Sequence, residues 1–344
     1  MKHLIVGAGA TLAEALALGN ARDVCPPLMT DFAKKTWSNY SPHPILEEYL
    51  RELGYPNPGH DARTLFYELE EKGETNIEKF MEFVWHNRNR EFELDPDRIV
   101  PGYISGLRPF TPGTSAEDAS STAGGFWEDL LFHGIGSPIG FFMLQSFHEN
   151  GVGWRDLRLS KSIALQLQPG DLILNLNYDT VFELALIQSG RPFTYSPQPI
   201  LSGHLAVCKP HGSLNMITND THLQFGNPRW LGIVEPPPPG FRSFSGLVPP
   251  RMNKNYAQHP ISKAILAPVR NRRPKTIIMW GVGLTESDAD LITLYSRWAR
   301  KAEVIEIINP DAEIATKAAK LFRCEVRHFK DVSHWKGDKK DGDI

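Results

Sequence analysis

Hydrophobic positions along the chain follow two rhythms. At the start, His3 to Val6 is a short apolar run that gives way to Gly7-Ala8-Gly9-Ala10-Thr11. A helical pattern follows over Leu12 to Leu18, with Gly19-Asn20 as a stop. From about residue 166 onward, short apolar runs again alternate with helical patterns. Asp171 to Asn175, Leu205 to Lys209, Thr276 to Trp280, Val304 to Ile308 and Glu325 to Phe329 read as strands. Thr180 to Ser189, Glu286 to Lys301 and Asp311 to Phe322 read as helices. This alternation predicts an α/β, Rossmann-like parallel sheet with helices on both faces, to which the first unit adds a strand.

From about 25 to 165 the rhythm is helical. Ile45, Leu46, Tyr49, Leu50 and Leu53 share one helical face before Gly54, and Leu65, Phe66 and Leu69 repeat it up to Gly73. Asn76 can cap a segment carrying Ile77, Phe80, Met81, Val84 and Trp85. Further helices are expected over Phe126 to His133 and Pro138 to Phe147, after a Gly/Ser/Thr/Pro-rich stretch between Pro101 and Gly125 that reads as loop or linker. The expected organisation is a Rossmann-like domain of 1–24 and 166–335, a mainly helical insertion over 25–165, and a polar tail, 336–344, that frays.

Composition narrows the class. The 344 residues hold 37 Lys+Arg against 40 Asp+Glu, a formal charge of −3, and 41% are hydrophobic. Global disorder is excluded, and a dedicated nucleic-acid binder is disfavoured because it would carry a basic excess. Cys25, Cys208 and Cys324 cannot all pair and form no CxxC, so neither a disulfide framework nor a four-cysteine zinc site is expected. A reducing cytoplasm fits. Met1-Lys2-His3 and the apolar residues behind it superficially suggest a secretory signal, but Glu14 and two early glycines interrupt the pattern. No stretch approaches the roughly 20 apolar residues of a membrane span.

Candidate chemistry gathers where strands end. Gly7 to Thr11 can bring free amides to an anion at a helix N-terminus, or simply make a tight turn, since Leu12 replaces the third glycine of GxGxxG. Asn177-Tyr178-Asp179 follows the run ending at Asn175; it can bond ribose hydroxyls or hold a water, or Asp179 can cap the next helix. His211-Gly212-Ser213 follows the next strand, where the imidazole can act as general base or serve a structural role. Cys208 beside it reads more simply as a small buried hydrophobe. Gly281-Val282-Gly283-Leu284 and Asn309-Pro310-Asp311 end two more strands. The basic cluster Arg270 to Lys275 reads as a solvated loop.

In that order these motifs resemble the sirtuin fold family, and within it the bacterial sirtuin-like proteins that hydrolyse NAD in antiphage defence. The residues carrying the resemblance are GAGAT, Leu176 to Asp179 (LNYD), Pro210 to Ser213 (PHGS), Leu247 to Tyr256 (LVPPRMNKNY) and Gly281 to Leu291 (GVGLTESDADL). The resemblance covers the first and third zones and matches the helical middle only in position. It implies NAD as substrate, with Asn177 orienting the nicotinamide ribose or the attacking water and His211 as general base. It further implies that Gly7, Ala8, Gly9, Ala10 and Thr11 line the diphosphate and Asn309 the adenine ribose. Asp179, Gly212, Ser213, Gly281, Gly283 and Leu284 complete the implied cofactor site. Asp31-Phe32 would lie in the family's cofactor loop, although Ala33 stands where that loop has arginine.

Two departures shape the expectation. Protein-deacylating members carry a four-cysteine zinc module after the HG strand; here no cysteine lies between His211 and Cys324, and no metal is expected. Val282-Gly283 replaces the usual Tyr-Ser. The resemblance therefore points to an NAD glycohydrolase releasing nicotinamide and ADP-ribose. It would be a latent antiviral effector, controlled by homo-oligomerisation or by a separate partner such as an ATPase- or Argonaute-type protein, since the chain has little room for its own sensor. The rivals are an NAD- or ADP-ribose-binding regulatory subunit, an NAD-dependent deacylase and a dehydrogenase.

Overall fold

The computed structural model describes residues 1–37, 45–56, 58, 61–91, 132–149, 152–218, 223–229, 242–243, 247–248, 252 and 260–335. The expected linker, the tail, most of the helix at Phe126 to His133 and most of the Leu247 to Tyr256 stretch lie outside those residues.

Seven strands form one all-parallel sheet: β1 (Lys2–Val6), β2 (Leu172–Asn175), β3 (Phe193–Tyr195), β4 (Leu205–Cys208), β5 (Thr276–Trp280), β6 (Val304–Ile308) and β7 (Glu325–Phe329), in the order β7-β6-β5-β1-β2-β4-β3. β2 and β4 are buried at every position, which is why they read as unbroken apolar runs. Six strands coincide with those runs. The seventh, β3, is a three-residue edge strand between Pro192 and Pro197, too short to show a period.

Helices cover both faces. α1 (Ala8–Ala17), α7 (Arg158–Ala164) and α8 (Val181–Gln188) pack on one; α9 (Pro260–Leu266), α10 (Ala289–Ala299) and α11 (Ala312–Leu321) pack on the other. Alternation along β1 is the cause: Leu4 and Val6 join the first core, with Ile163 and Phe182, while Ile5 joins the second, with Tyr295 and Trp298. α7 falls inside the insertion drawn from sequence. It packs with the sheet layer, because the buried Glu14 carboxylate accepts from the Leu159 and Ser160 amides and the Ser160 hydroxyl at its start.

A third layer holds α2 (Phe32–Thr36), α3 (Ile45–Glu52), α4 (Ala62–Glu71), α5 (Ile77–Glu91) and α6 (Ser137–Phe147). Trp37, Tyr49, Phe66 and Phe80 form its aromatic centre, and the same core reaches Ala15 of α1 and Val181, Leu184 and Ala185 of α8. The helical residues thus lie against the outer surfaces of the two helices that follow β1 and β2. Two small antiparallel additions escape the sequence pattern. One pairs His148–Glu149 with Gly153–Trp154; the other joins Met216–Thr218, Leu223–Phe225 and Arg242–Ser243. Among the described residues, no helix is long and apolar enough to cross a membrane.

Candidate functional site

The chain leaves β1 for β2 on one side and later returns to β5 on the other, so the sheet's direction of winding reverses beside β1. In open parallel sheets that switch point, at the carboxyl ends of the strands, is where ligands bind. Two glycine turns meet there. The Gly7 amide donates to the Trp280 carbonyl (3.0 Å), Gly9 to the Gly281 carbonyl (3.1 Å) and Ala10 to the Gly7 carbonyl (2.9 Å). A Cβ on Gly7 would stand 2.5 Å from the Gly281 oxygen. Gly281 has φ +64, and its Cβ would stand 2.1 Å from the Ala10 nitrogen. Contact between this segment and the Gly281 turn therefore accounts for glycine at both positions. Ala8 to Thr11 form the first turn of α1 rather than a loop ahead of a helix at Leu12, and the Gly7, Gly9 and Ala10 amides are engaged within the protein.

On the β2 side a chain of polar side chains begins. Asn177 Nδ2 donates to the Gly7 carbonyl (3.0 Å) and to Thr11 Oγ1 (2.9 Å). A carbonyl only accepts, which fixes the orientation of the carboxamide. Asn177 Oδ1 is left without a hydrogen bond among the described residues, while the side chain is nearly buried. The Thr11 hydroxyl donates to Asp179 Oδ2 (2.9 Å), and Asp179 Oδ1 accepts from the Val181 amide at the start of α8 (3.0 Å). Asp179, one residue before the N-cap Thr180, thus satisfies the first amide of α8 and anchors Thr11 at once. Burial pushes its carboxyl up, against the opposing pull of Lys209 and of the Val181 and Thr11 hydrogen bonds.

A buried ion pair lies next to this chain. Asn175 accepts from the Asn177 amide (3.0 Å) and donates to Glu183 Oε2 (3.0 Å). Lys209 Nζ lies 3.0 Å from Glu183 Oε1, both side chains being essentially inaccessible, and also donates to the Asp179 carbonyl. Burial raises the Glu183 carboxyl and the Lys209 ammonium opposes it. One ammonium thus faces two buried acidic side chains.

His211 enters from β4. Gly212, at φ +80, closes a turn through its amide to the Lys209 carbonyl (3.0 Å), and Ser262 bonds the Pro210 carbonyl (2.6 Å). The imidazole is half-buried, with its ring centroid 6.2 Å from that of Tyr178. The His211 carbonyl accepts from the Val248 amide (2.8 Å), and the Tyr178 hydroxyl donates to the Val248 carbonyl. Burial holds the Tyr178 phenol well above its usual range, so it remains a donor. Ser213 is fully buried and donates to Asn215 Oδ1 (2.6 Å); Asn215 in turn bonds the Tyr195 hydroxyl and the Gly226 carbonyl.

Of the remaining residues named from sequence, Asn309, Gly283 and Leu284 belong to or touch the turn at Gly281, while Asp31 and Phe32 lie apart. Asn309 reaches across from β6 to the Val282 carbonyl (3.2 Å) and accepts from the Asp311 amide (3.0 Å), so both ends of its carboxamide are engaged. Leu284 is buried at φ 51, whereas a side chain at Gly283 would meet only Thr285, at 3.5 Å. Asp31 accepts from the Leu28 amide (2.6 Å) and pairs with Lys35 (3.2 Å), while Phe32 sits in the helical core. Neither shares a hydrogen bond or ion pair with the strand-end residues among those described. The structure therefore joins Gly7 to Thr11, Asn177, Asp179, Gly281 and, through Val282, Asn309, and through Tyr178 it joins His211.

Sequence reading named Tyr178 within its motif but gave it no role of its own, and it missed Asn175 and the Lys209–Glu183 pair. A usable signal existed: each charge interrupts an otherwise apolar buried segment, LAVCK and VFELALI. Among the described residues, no group of three or more His, Cys, Asp or Glu is placed to hold a metal ion. No protein-family model and no curated protein matches the chain.

Proposed function

We propose that the chain is an NAD glycohydrolase, cleaving the bond between nicotinamide and ribose. The observation that carries this reading is the pinned carboxamide of Asn177, whose Oδ1 is left as an acceptor at the ends of adjacent strands, with His211 joined to the same turn through Tyr178. The order of motifs along the chain supports it. In the reaction the electron pair of the ribose C1′–N bond leaves with nicotinamide, and water adds at C1′. Asn177 Oδ1 accepts from a ribose hydroxyl or from that water, and His211 takes the proton the water loses.

Unchecked loss of NAD is toxic to a cell, so the activity is latent. The reading is of an antiviral effector released by self-association or by a separate activating protein. The test is to incubate the purified protein with NAD, alone and with candidate activators, and to follow nicotinamide, ADP-ribose and reduced cofactor. Nicotinamide release without reduction is expected, lowered about 100-fold or more in Asn177→Ala and His211→Ala. Release that survives both substitutions overturns the site. Binding of NAD without turnover makes the chain a regulatory subunit, and release only alongside an acylated peptide makes it a deacylase.

A further inference from the structure

The site's geometry turns on a residue that touches neither of the strand-end groups by side-chain hydrogen bond. Tyr178 lies between Asn177 and Asp179 and organises the His211 turn in three ways. Its carbonyl accepts from the Leu214 amide (2.9 Å), its ring lies beside the imidazole, and its hydroxyl holds the Val248 carbonyl. Val248 closes the loop by donating its amide to the His211 carbonyl (2.8 Å). The short segment so held also bridges two cores. Leu247 belongs to the helical core, where Tyr178 also packs, whereas Val248 belongs to the sheet core with Cys208 and Met216.

We propose that Tyr178 is the positioning residue for His211, and that the clasp from Tyr178 through Val248 links the packing of the helical layer to the imidazole. Removing the hydroxyl alone frees the Val248 carbonyl while leaving the ring in place. The His211 backbone then loses one of its restraints, the one that reaches it through Val248, while those through Gly212, Leu214 and Ser262 remain. A shift of this size, far smaller than unfolding, lowers turnover without weakening ground-state binding. Leu247→Ala acts on the same clasp from the helical side.

This inference rests on the glycohydrolase reading, and the experiment separates the two. Tyr178→Phe, Leu247→Ala and a control, Tyr49→Phe, are compared with wild type. The control removes a buried hydroxyl that bonds only Thr75 in the helical layer. Tyr178→Phe is expected to lower kcat about 10- to 100-fold, with KM for NAD within about threefold and a displaced pH–rate profile. Tyr49→Phe leaves all three unchanged. Hydrogen exchange gives a readout independent of turnover: the Val248 amide exchanges at least about tenfold faster in Tyr178→Phe than in wild type. Wild-type kcat, or unchanged Val248 exchange, in Tyr178→Phe overturns the clasp. Wild-type kcat in His211→Ala overturns the glycohydrolase site instead, and leaves the exchange result to judge the clasp.

Discussion

The two ends of the same strands handle polar groups in opposite ways. At the carboxyl end, Thr11, Asn175, Asn177, Asp179, Glu183 and Lys209 are buried and joined by hydrogen bonds or an ion pair. Toward the amino end, His3 is fully buried, edge-on to Trp298 at 4.4 Å, and among the described residues neither of its ring nitrogens, nor Trp298 Nε1, nor the Tyr295 hydroxyl has a hydrogen-bond partner. Burial, aided by Arg272 and the chain's amino terminus, holds the His3 imidazole down to about 3 and therefore neutral. An acidic group at this end is buried: Asp171, just before β2, accepts from the Lys2 amide (2.6 Å) and the Gln168 amide (2.8 Å), while Arg270, Arg273 and Lys275 are exposed. A histidine inside a strand thus serves as an aromatic ring, while a histidine just past a strand, His211, keeps access to solvent. The carboxyl end links its buried side chains to one another, whereas the amino end bonds its buried carboxylate to main-chain amides and packs the rest.

The largest expected effect tests how rigid the carboxyl end is. Gly281→Ala places a Cβ against main-chain atoms of Gly9 and Ala10 that no rotamer change can relieve. A loss of more than about 4 kcal/mol is expected in urea unfolding. A wild-type midpoint would mean that the two glycine turns are not locked together. Next comes Lys209→Met, which leaves Glu183 buried without its cation and should cost about 3–5 kcal/mol. Adding Glu183→Leu should recover part of that loss; if the double variant is no better than the single, the pair is not an isolated unit.

The amino end gives the third effect. Because the folded state holds His3 neutral, the unfolded chain takes up that proton first, and stability falls as pH drops from about 6.5 toward 3. Near pH 4.5 this amounts to about 2–3 kcal/mol, and His3→Leu should remove that part of the acid sensitivity. Urea midpoints at pH 7 and 4.5 for both proteins check it; parallel losses would show that His3 is not the sensor. The smallest effect lies at an exposed helix cap. Asp311 accepts from the Glu313 amide (2.9 Å), and Asp311→Ala should cost about 1 kcal/mol with no change in NAD turnover.

Much of the fold was legible because a strand buried on both faces reads as a nearly continuous apolar run. β1, β2, β4, β5 and β6 announce themselves in this way, β1 and β5 with a glycine directly after them, whereas β7 is a largely exposed edge strand marked only by Val326 and Phe329. β3 does not, since three residues flanked by prolines carry no period. The site divides similarly. That Asn177, His211, Gly281 and Asn309 stand at strand ends follows from the runs before them. Whether Asp179 serves the start of a helix or a neighbouring segment had no answer in its local spacing; its two oxygens accept from the first amide of α8 and from Thr11.

The sequence by itself determined a parallel α/β sheet, a helical layer between its first two strands, and polar residues at one rim. Those features depend on neighbours within a few positions, where periodicity and turn chemistry act. Only the tertiary structure decided that Asn177 turns its amide to Gly7, that Gly9 and Gly281 share one contact, and that Lys209 faces Glu183. Such pairings join distant parts of the chain, and they form because a buried donor or charge must find its partner wherever strand crossing brings one within reach.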